Sequence, residues 1–179
     1  MAALFPRLVK SQEATAAAEM ALVTPLMIIL MFGAFELGNY FLTEHVVAKA
    51  VRDGARYASR MAFTNYSCTS ASTGTAANDP VLTNTRNLVR TGQIASGGTV
   101  RLREWQDSGT ISTITVSYDC VDVTSGTPAY AGLYDGLNYV PVVRVAVTNL
   151  GYESLFNSIG FDSATLSLNA ESEATVAGL

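Results

Sequence analysis

The stretch that decides the fold is Glu19-Met20-Ala21-Leu22-Val23-Thr24-Pro25-Leu26-Met27-Ile28-Ile29-Leu30-Met31-Phe32-Gly33-Ala34-Phe35-Glu36. Its inner residues, Met20 to Phe35, carry no charge, and a glutamate closes each end. As an α-helix, sixteen residues at about 1.5 Å each reach roughly 24 Å, short of the ~30 Å hydrocarbon core of a bilayer. Thr15 to Ala18 in front and Leu37 to Leu42 behind complete a span at about residues 16–42. Two fates compete for such a stretch. A signal peptide needs a basic leader, which Arg7 and Lys10 supply, and small residues at its cleavage site. Gly33-Ala34-Phe35 meets that need poorly, and helical periodicity continues past it, so a retained anchor is the better reading. Before the span, Arg7 and Lys10 face Glu13 alone. After it, residues 43–179 hold more carboxylates than cations. The positive-inside rule then places the N-terminus in the cytoplasm and the C-terminal part outside.

This segment holds much of the apolar excess of the chain. Of 179 residues, 49% are hydrophobic and 15% charged, against a typical quarter charged, and the mean hydropathy is +0.25. That balance excludes a disordered chain, a coiled coil and a collagen. Eleven Lys+Arg against 15 Asp+Glu, with no basic block, argue against a nucleic-acid binder. One His and two Cys are too few for an ordinary four-ligand zinc site.

Glu19 is the most informative residue. A carboxylate at the edge of an apolar span costs a few kcal/mol unless it is paired or reaches the interface. The plain reading is that it marks the start of the membrane segment. A sharper one comes from its setting, Glu13-Ala14-Thr15-Ala16-Ala17-Ala18-Glu19-Met20-Ala21-Leu22: a short basic leader, small residues, a glutamate, then an apolar helix. This resembles the prepilin-peptidase site of type IV pilin-like proteins. The resemblance implies a leader 1–14, a cut between Ala14 and Thr15, and Glu19 as the fifth residue of the mature chain. Glu19 would neutralise the new amine at Thr15 of a neighbouring subunit, since a buried charge needs such a partner, and so set axial register.

A second stretch adds to the likeness. Gly33-Ala34-Phe35-Glu36-Leu37-Gly38 ends the span, and Arg52-Asp53-Gly54-Ala55-Arg56-Tyr57-Ala58 follows. With Ala18-Glu19-Met20-Ala21-Leu22-Val23-Thr24-Pro25-Leu26, they resemble the TadE-like proteins of tight-adherence pili over residues 14–60. The matching motif residues are Glu36, Gly38, Asp53, Gly54, Arg56 and Tyr57. Ala14 stands where Gly is usual, Met20 where Phe is, and Asn39 where Arg is common. The family implies an inner-membrane protein that passes into a pilus. Its implied partners are other minor and major pilins, the prepilin peptidase, the inner-membrane assembly platform and membrane lipid, with no nucleic acid.

Residues 15–60 read as one helix. Past the span, Phe41, Val46, Val47, Ala50, Val51, Ala55 and Ala58 share a face. Glu44, Lys49, Arg52, Asp53, Arg56 and Arg60 lie opposite, either as a solvated face or for partner subunits, and His45 stands alone. Pro25, Gly33 and Gly38 are candidate kinks; Gly54 is a kink or a point of close helix–sheet approach.

From 61 to 179 the pattern is that of a head. Residues 63–79 read as a Ser/Thr/Gly-rich loop. Asp79-Pro80 predicts a helix start and Gly92 a stop, giving a helix at 80–91. Period-two alternation predicts strands at 99–106, 110–123, 140–148 and 166–176, and Leu155, Phe156 and Ile159 suggest a short helix at 152–159. The fold class is therefore α+β: a long N-terminal transmembrane helix packed on a small antiparallel sheet, pilin-like.

Cys68 and Cys120 would bond in an oxidising compartment; two free thiols are the alternative. No Cys-x-x-Cys, second His, nucleophile elbow or phosphate loop is present, so no enzyme and no cofactor is expected. Asp119, Asp122 and Asp135 could meet around Ca²⁺ only without a recognised binding loop. Tyr130, Tyr134 and Tyr139 bracket a Gly-containing loop, read as packed surface. The expected function is that of a structural minor pilin acting in pilus initiation, or at its tip or base. The alternative is a bitopic envelope protein whose external domain binds a ligand or surface, with no filament role.

Overall fold

The computed structural model describes residues 12–106, 113–124, 134, 136–157 and 165–178. Helix α1, Gln12–Ala58, runs unbroken for 47 residues through Pro25, Gly33 and Gly38. The chain divides into two compact units inside this helix, between Tyr40 and Phe41.

The first unit owes its helix to composition. Ala14, Ala16, Ala17 and Ala18, then Glu19, Met20, Ala21 and Leu22, are strong helix formers, with no breaker until Pro25. The hydroxyl of Thr24 donates to the Met20 carbonyl at 2.6 Å, one turn back. Every residue from Thr15 to Met31 is exposed. A long apolar helix with its apolar side chains unburied is the pattern of a membrane segment, and this is the single candidate span among the described residues.

The second unit is an α+β head. Its sheet is an antiparallel meander in the order β1 (Ser72–Ala76), β2 (Ile114–Asp122), β3 (Tyr139–Gly151) and β4 (Ser167–Thr175). Alternation sets its faces: Ile114, Val116, Tyr118 and Cys120 of β2, with Val143, Val145 and Val147 of β3, are buried on one side. Helix α2, Val81–Thr91, and residues 41–58 of α1 cover that side. Val47, Ala50, Val51, Ala55 and Ala58 of α1 and Val81, Thr85 and Val89 of α2 supply the helical half of the core.

The stop signal of α2 works as its residue type requires, whereas the start falls one residue later than expected: Pro80, not Asp79, stands at the cap position, and no side chain caps it. The Asp79 carboxylate accepts from the Thr83 N–H at 3.2 Å. Gly92 takes a left-handed φ of +80° and donates its N–H to Leu88 at 2.8 Å.

Four strands form, but not the four expected. The 99–106 segment is not a strand: it holds a 3-10 turn at Arg103–Trp105, with Trp105 fully buried. The segment is held by single contacts to α2 and not by a ladder. Arg90 donates through Nε to the Trp105 carbonyl at 2.7 Å, and the Arg101 N–H donates to the Arg90 carbonyl at 2.9 Å. The missing strand is β1, inside the polar stretch expected to be loop. Its sequence, STGTA, offers no apolar signal because it is a mostly exposed edge strand that pairs only with β2.

Strand β3 is longer than expected, and its alternation breaks at a bulge: Val147 faces Ala170 and Leu150 faces Leu168, so Thr148 and Asn149 oppose Asn169 alone. Asn149 has φ +54° and its N–H meets Asn169 Oδ1 at 2.9 Å. Of the expected helix at 152–159, residues 152–156 are irregular or turn and Asn157 is 3-10 helical; Ile159 lies outside the described residues. Phe41, expected on the buried face of α1, is 50% exposed. It precedes the first residue that the head covers fully, Val47.

Candidate assembly helix and head-docking motif

Glu19 sits on the exposed first unit of α1. Ala14 and Thr15 lie in the opening turns of the helix; residues 1–11 of the expected leader lie outside the described residues. Met20, Val23, Thr24, Met27, Ile28 and Met31 line a shallow concavity along this unit. Methionine is suited to such a surface, because its unbranched side chain adapts to whatever packs on it. Gly38 has room for a side chain, since an added Cβ would meet nothing within 4 Å, and Glu36 is half-buried.

The second motif has a different task. Asp53, Gly54 and Tyr57 occupy successive positions on the side of α1 that meets the head, and each makes a specific contact. Asp53 Oδ2 accepts from Arg101 Nη1 at 3.1 Å, with both side chains mostly buried. At Gly54 an added Cβ would lie 2.7 Å from Val89 Cγ2, 3.3 Å from Thr85 and 3.4 Å from Val145. Of the two roles open to Gly54, close approach is the one the structure shows: α1 touches α2 and β3 there at once. The Tyr57 hydroxyl accepts from Asn84 Nδ2 at 3.2 Å. Arg56 points the other way and is exposed.

The partners of this motif, Arg101 and Asn84, were not singled out from sequence. Arg101 read as the polar side of a strand. A signal existed in the pairing of Gly92 with a nearby Arg: a Cβ on Gly92 would meet Arg101 Nη2 at 2.9 Å, so the glycine that ends α2 also clears a path for the guanidinium.

Cys68 and Cys120 are joined in a disulfide with Cα atoms 5.5 Å apart. It fastens the segment before β1 to β2, near the Ser72–Cys120 pairing. Tyr66, beside it, is buried, donates to the Ala58 carbonyl at 2.6 Å and stacks edge-on against Tyr118 at 5.2 Å. Burial chiefly, then Tyr57 and Tyr118, push the Tyr66 hydroxyl well above the ordinary tyrosine range.

Among the described residues no three His, Cys, Asp or Glu side chains gather as metal ligands. Asp119 instead accepts from the Gly74 N–H at 2.6 Å and pairs with Arg144, Asp122 caps Thr124, and Asp135 lies outside the described residues. Of the three loop tyrosines, Tyr130 also lies outside them, while Tyr134 donates to the Val176 carbonyl at 2.9 Å and meets Phe63 edge-on.

No curated protein and no solved structure matches the chain. One family model does, and its boundaries coincide with the features above: it begins at Ala14, before Glu19, and ends at Arg56, within the docking motif. Residues 14–56 match the model described as TadE-like protein, and this segment of the chain is TadE-like.

Proposed function

We propose that the protein is a structural minor pilin of a tight-adherence pilus, anchored in the bacterial inner membrane with its head outside the cytoplasm. One observation carries the reading: the TadE-like match falls on a helix whose apolar residues 15–31 are all exposed and need lipid or other helices to cover them. In this reading a prepilin peptidase cuts between Ala14 and Thr15, and Glu19 meets the new amine of a neighbouring subunit. The head, closed by its disulfide, serves pilus initiation or an end of the filament.

N-terminal sequencing after co-expression with a prepilin peptidase tests the processing. A mature chain starting at Thr15 is expected. The assembly role predicts loss of piliation with Glu19→Ala while the protein stays in the membrane. A leader retained through Ala14 together with normal piliation in the Glu19→Ala strain would leave instead a bitopic envelope protein.

A further inference from the structure

We propose that heads of this chain dock on one another head to tail, the basic stripe of α1 on one copy against the acidic outer face of the sheet on the next. Lys49, Arg52, Arg56 and Arg60 are all exposed and follow one another at helical spacing along α1 and its C-terminal end. They lie opposite the buried line Val47, Ala50, Val51, Ala55 and Ala58. None of the four is ion-paired to a described residue. The helix dipole favours a cation in the last turn, which accounts for Arg56 but not for Lys49 or Arg52, further back.

The other side of the head has the opposite sign. Arg144 is the only cation in the four strands. It faces outward between β2 and β4, where it meets Asp119 at 3.6 Å, Glu171 at 3.3 Å and Glu173 at 2.5 Å. Three carboxylates around one guanidinium leave this face with negative charge to spare. The inner face of the same sheet is covered by α1 and α2, so the basic stripe and the acidic face are outer surfaces on opposite sides of one head. Complementary patches on opposite sides cannot both be satisfied in a closed pair of copies. They are satisfied by translation, a heterologous contact that extends as an open row. The occupant of each face is thus a second copy of this chain.

This contact does not depend on the pilin reading, and its test uses neither peptidase nor pilus machinery. The full chain, carrying donor or acceptor dye at its C-terminus, is reconstituted in phosphatidylcholine vesicles. Energy transfer between copies is then followed against lipid dilution. Apparent association should weaken about tenfold or more as salt rises from about 50 mM to about 500 mM, because exposed charges are screened. R52E/R56E and E171K/E173K should each lose it to a similar degree. An equimolar mixture of the two variants should restore it, since each then offers the face the other lacks. Undiminished transfer in either double variant at low salt overturns the proposal. So does a mixture that fails to recover although both variants keep the protease resistance of the unsubstituted chain. Stripe-dependent binding to vesicles of anionic phosphatidylglycerol, without transfer in phosphatidylcholine, assigns the stripe to lipid and overturns it as well.

Discussion

Arg101 Nη1 stands 3.1 Å from Asp53 Oδ2, joining the loop after α2 to the outer part of α1 across 48 residues. Arg101 is positioned twice over: its backbone is bonded to Arg90, and Gly92 leaves room for its guanidinium. With both side chains mostly covered, it should contribute more than a free surface pair. A double-mutant cycle of Asp53→Asn and Arg101→Gln is expected to give a coupling energy of about 1 kcal/mol, read from denaturant unfolding of the detergent-solubilised chain. Additive effects of the two substitutions would mean that the pair does not fasten the helix.

Gly54 tests the same docking from the packing side. A Cβ there would lie 2.7 Å from Val89 Cγ2, closer than real carbon contacts come. Gly54→Ala should cost about 1–3 kcal/mol by overpacking, outweighing any gain in helix propensity. Val89→Ala in the same chain should return part of the loss, although alone it opens a cavity. Gly38→Ala, where the added Cβ meets nothing, should leave the stability of the head unchanged.

Which parts of this molecule were legible in the sequence follows from where their causes lie. Helix α1 was readable because its signal is local: sixteen uncharged residues and then a periodic face. The ends of α2 were readable because Asp79 and Gly92 act on their own backbone neighbourhood. Strand β1 was not, since what makes STGTA a strand is the edge of β2, far along the chain, and an exposed edge needs no apolar alternation. The 99–106 segment misled for the converse reason: it alternates without joining a ladder, while Trp105 enters the core and Arg101 reaches Asp53. In the candidate site, the residues on α1 could be named from the TadE-like pattern, whereas Asn84, Arg101 and the Arg144 cluster are defined only by tertiary contacts.

The disulfide should matter more than any single side-chain contact. Cys68 and Cys120 are 52 residues apart, and in the chain-entropy account closing such a loop is worth about 4 kcal/mol. Without it, the segment before β1 is held by non-covalent ties alone: the ladder of a five-residue edge strand, the anchor of Tyr66, the Ser67 N–H on the Tyr118 hydroxyl and the Phe63–Tyr134 contact. Cys68→Ser/Cys120→Ser is expected to lower the unfolding free energy by about that amount and to expose the β1 region to protease first. Equal proteolysis rates for the two forms would show that the ladder suffices.

Tyr66 gives the head a limit at high pH. Its hydroxyl is buried against the Ala58 carbonyl, and burial, with Tyr57 and Tyr118 nearby, raises its pKa above that of an unfolded tyrosine. The raised folded pKa fixes the sign. Below about pH 10 both states hold the proton and the contribution is complete; above it the unfolded chain releases the proton first, so stability falls as pH rises. Unfolding midpoints measured from about pH 8 to 11 should therefore hold steady and then decline. Tyr66→Phe should be less stable by about 1 kcal/mol at neutral pH, from the lost hydrogen bond, yet lose less on going alkaline. Parallel declines in the two proteins would assign the alkaline loss to other groups. A flat profile in the unsubstituted protein would mean that the Tyr66 hydroxyl ionises as readily folded as unfolded.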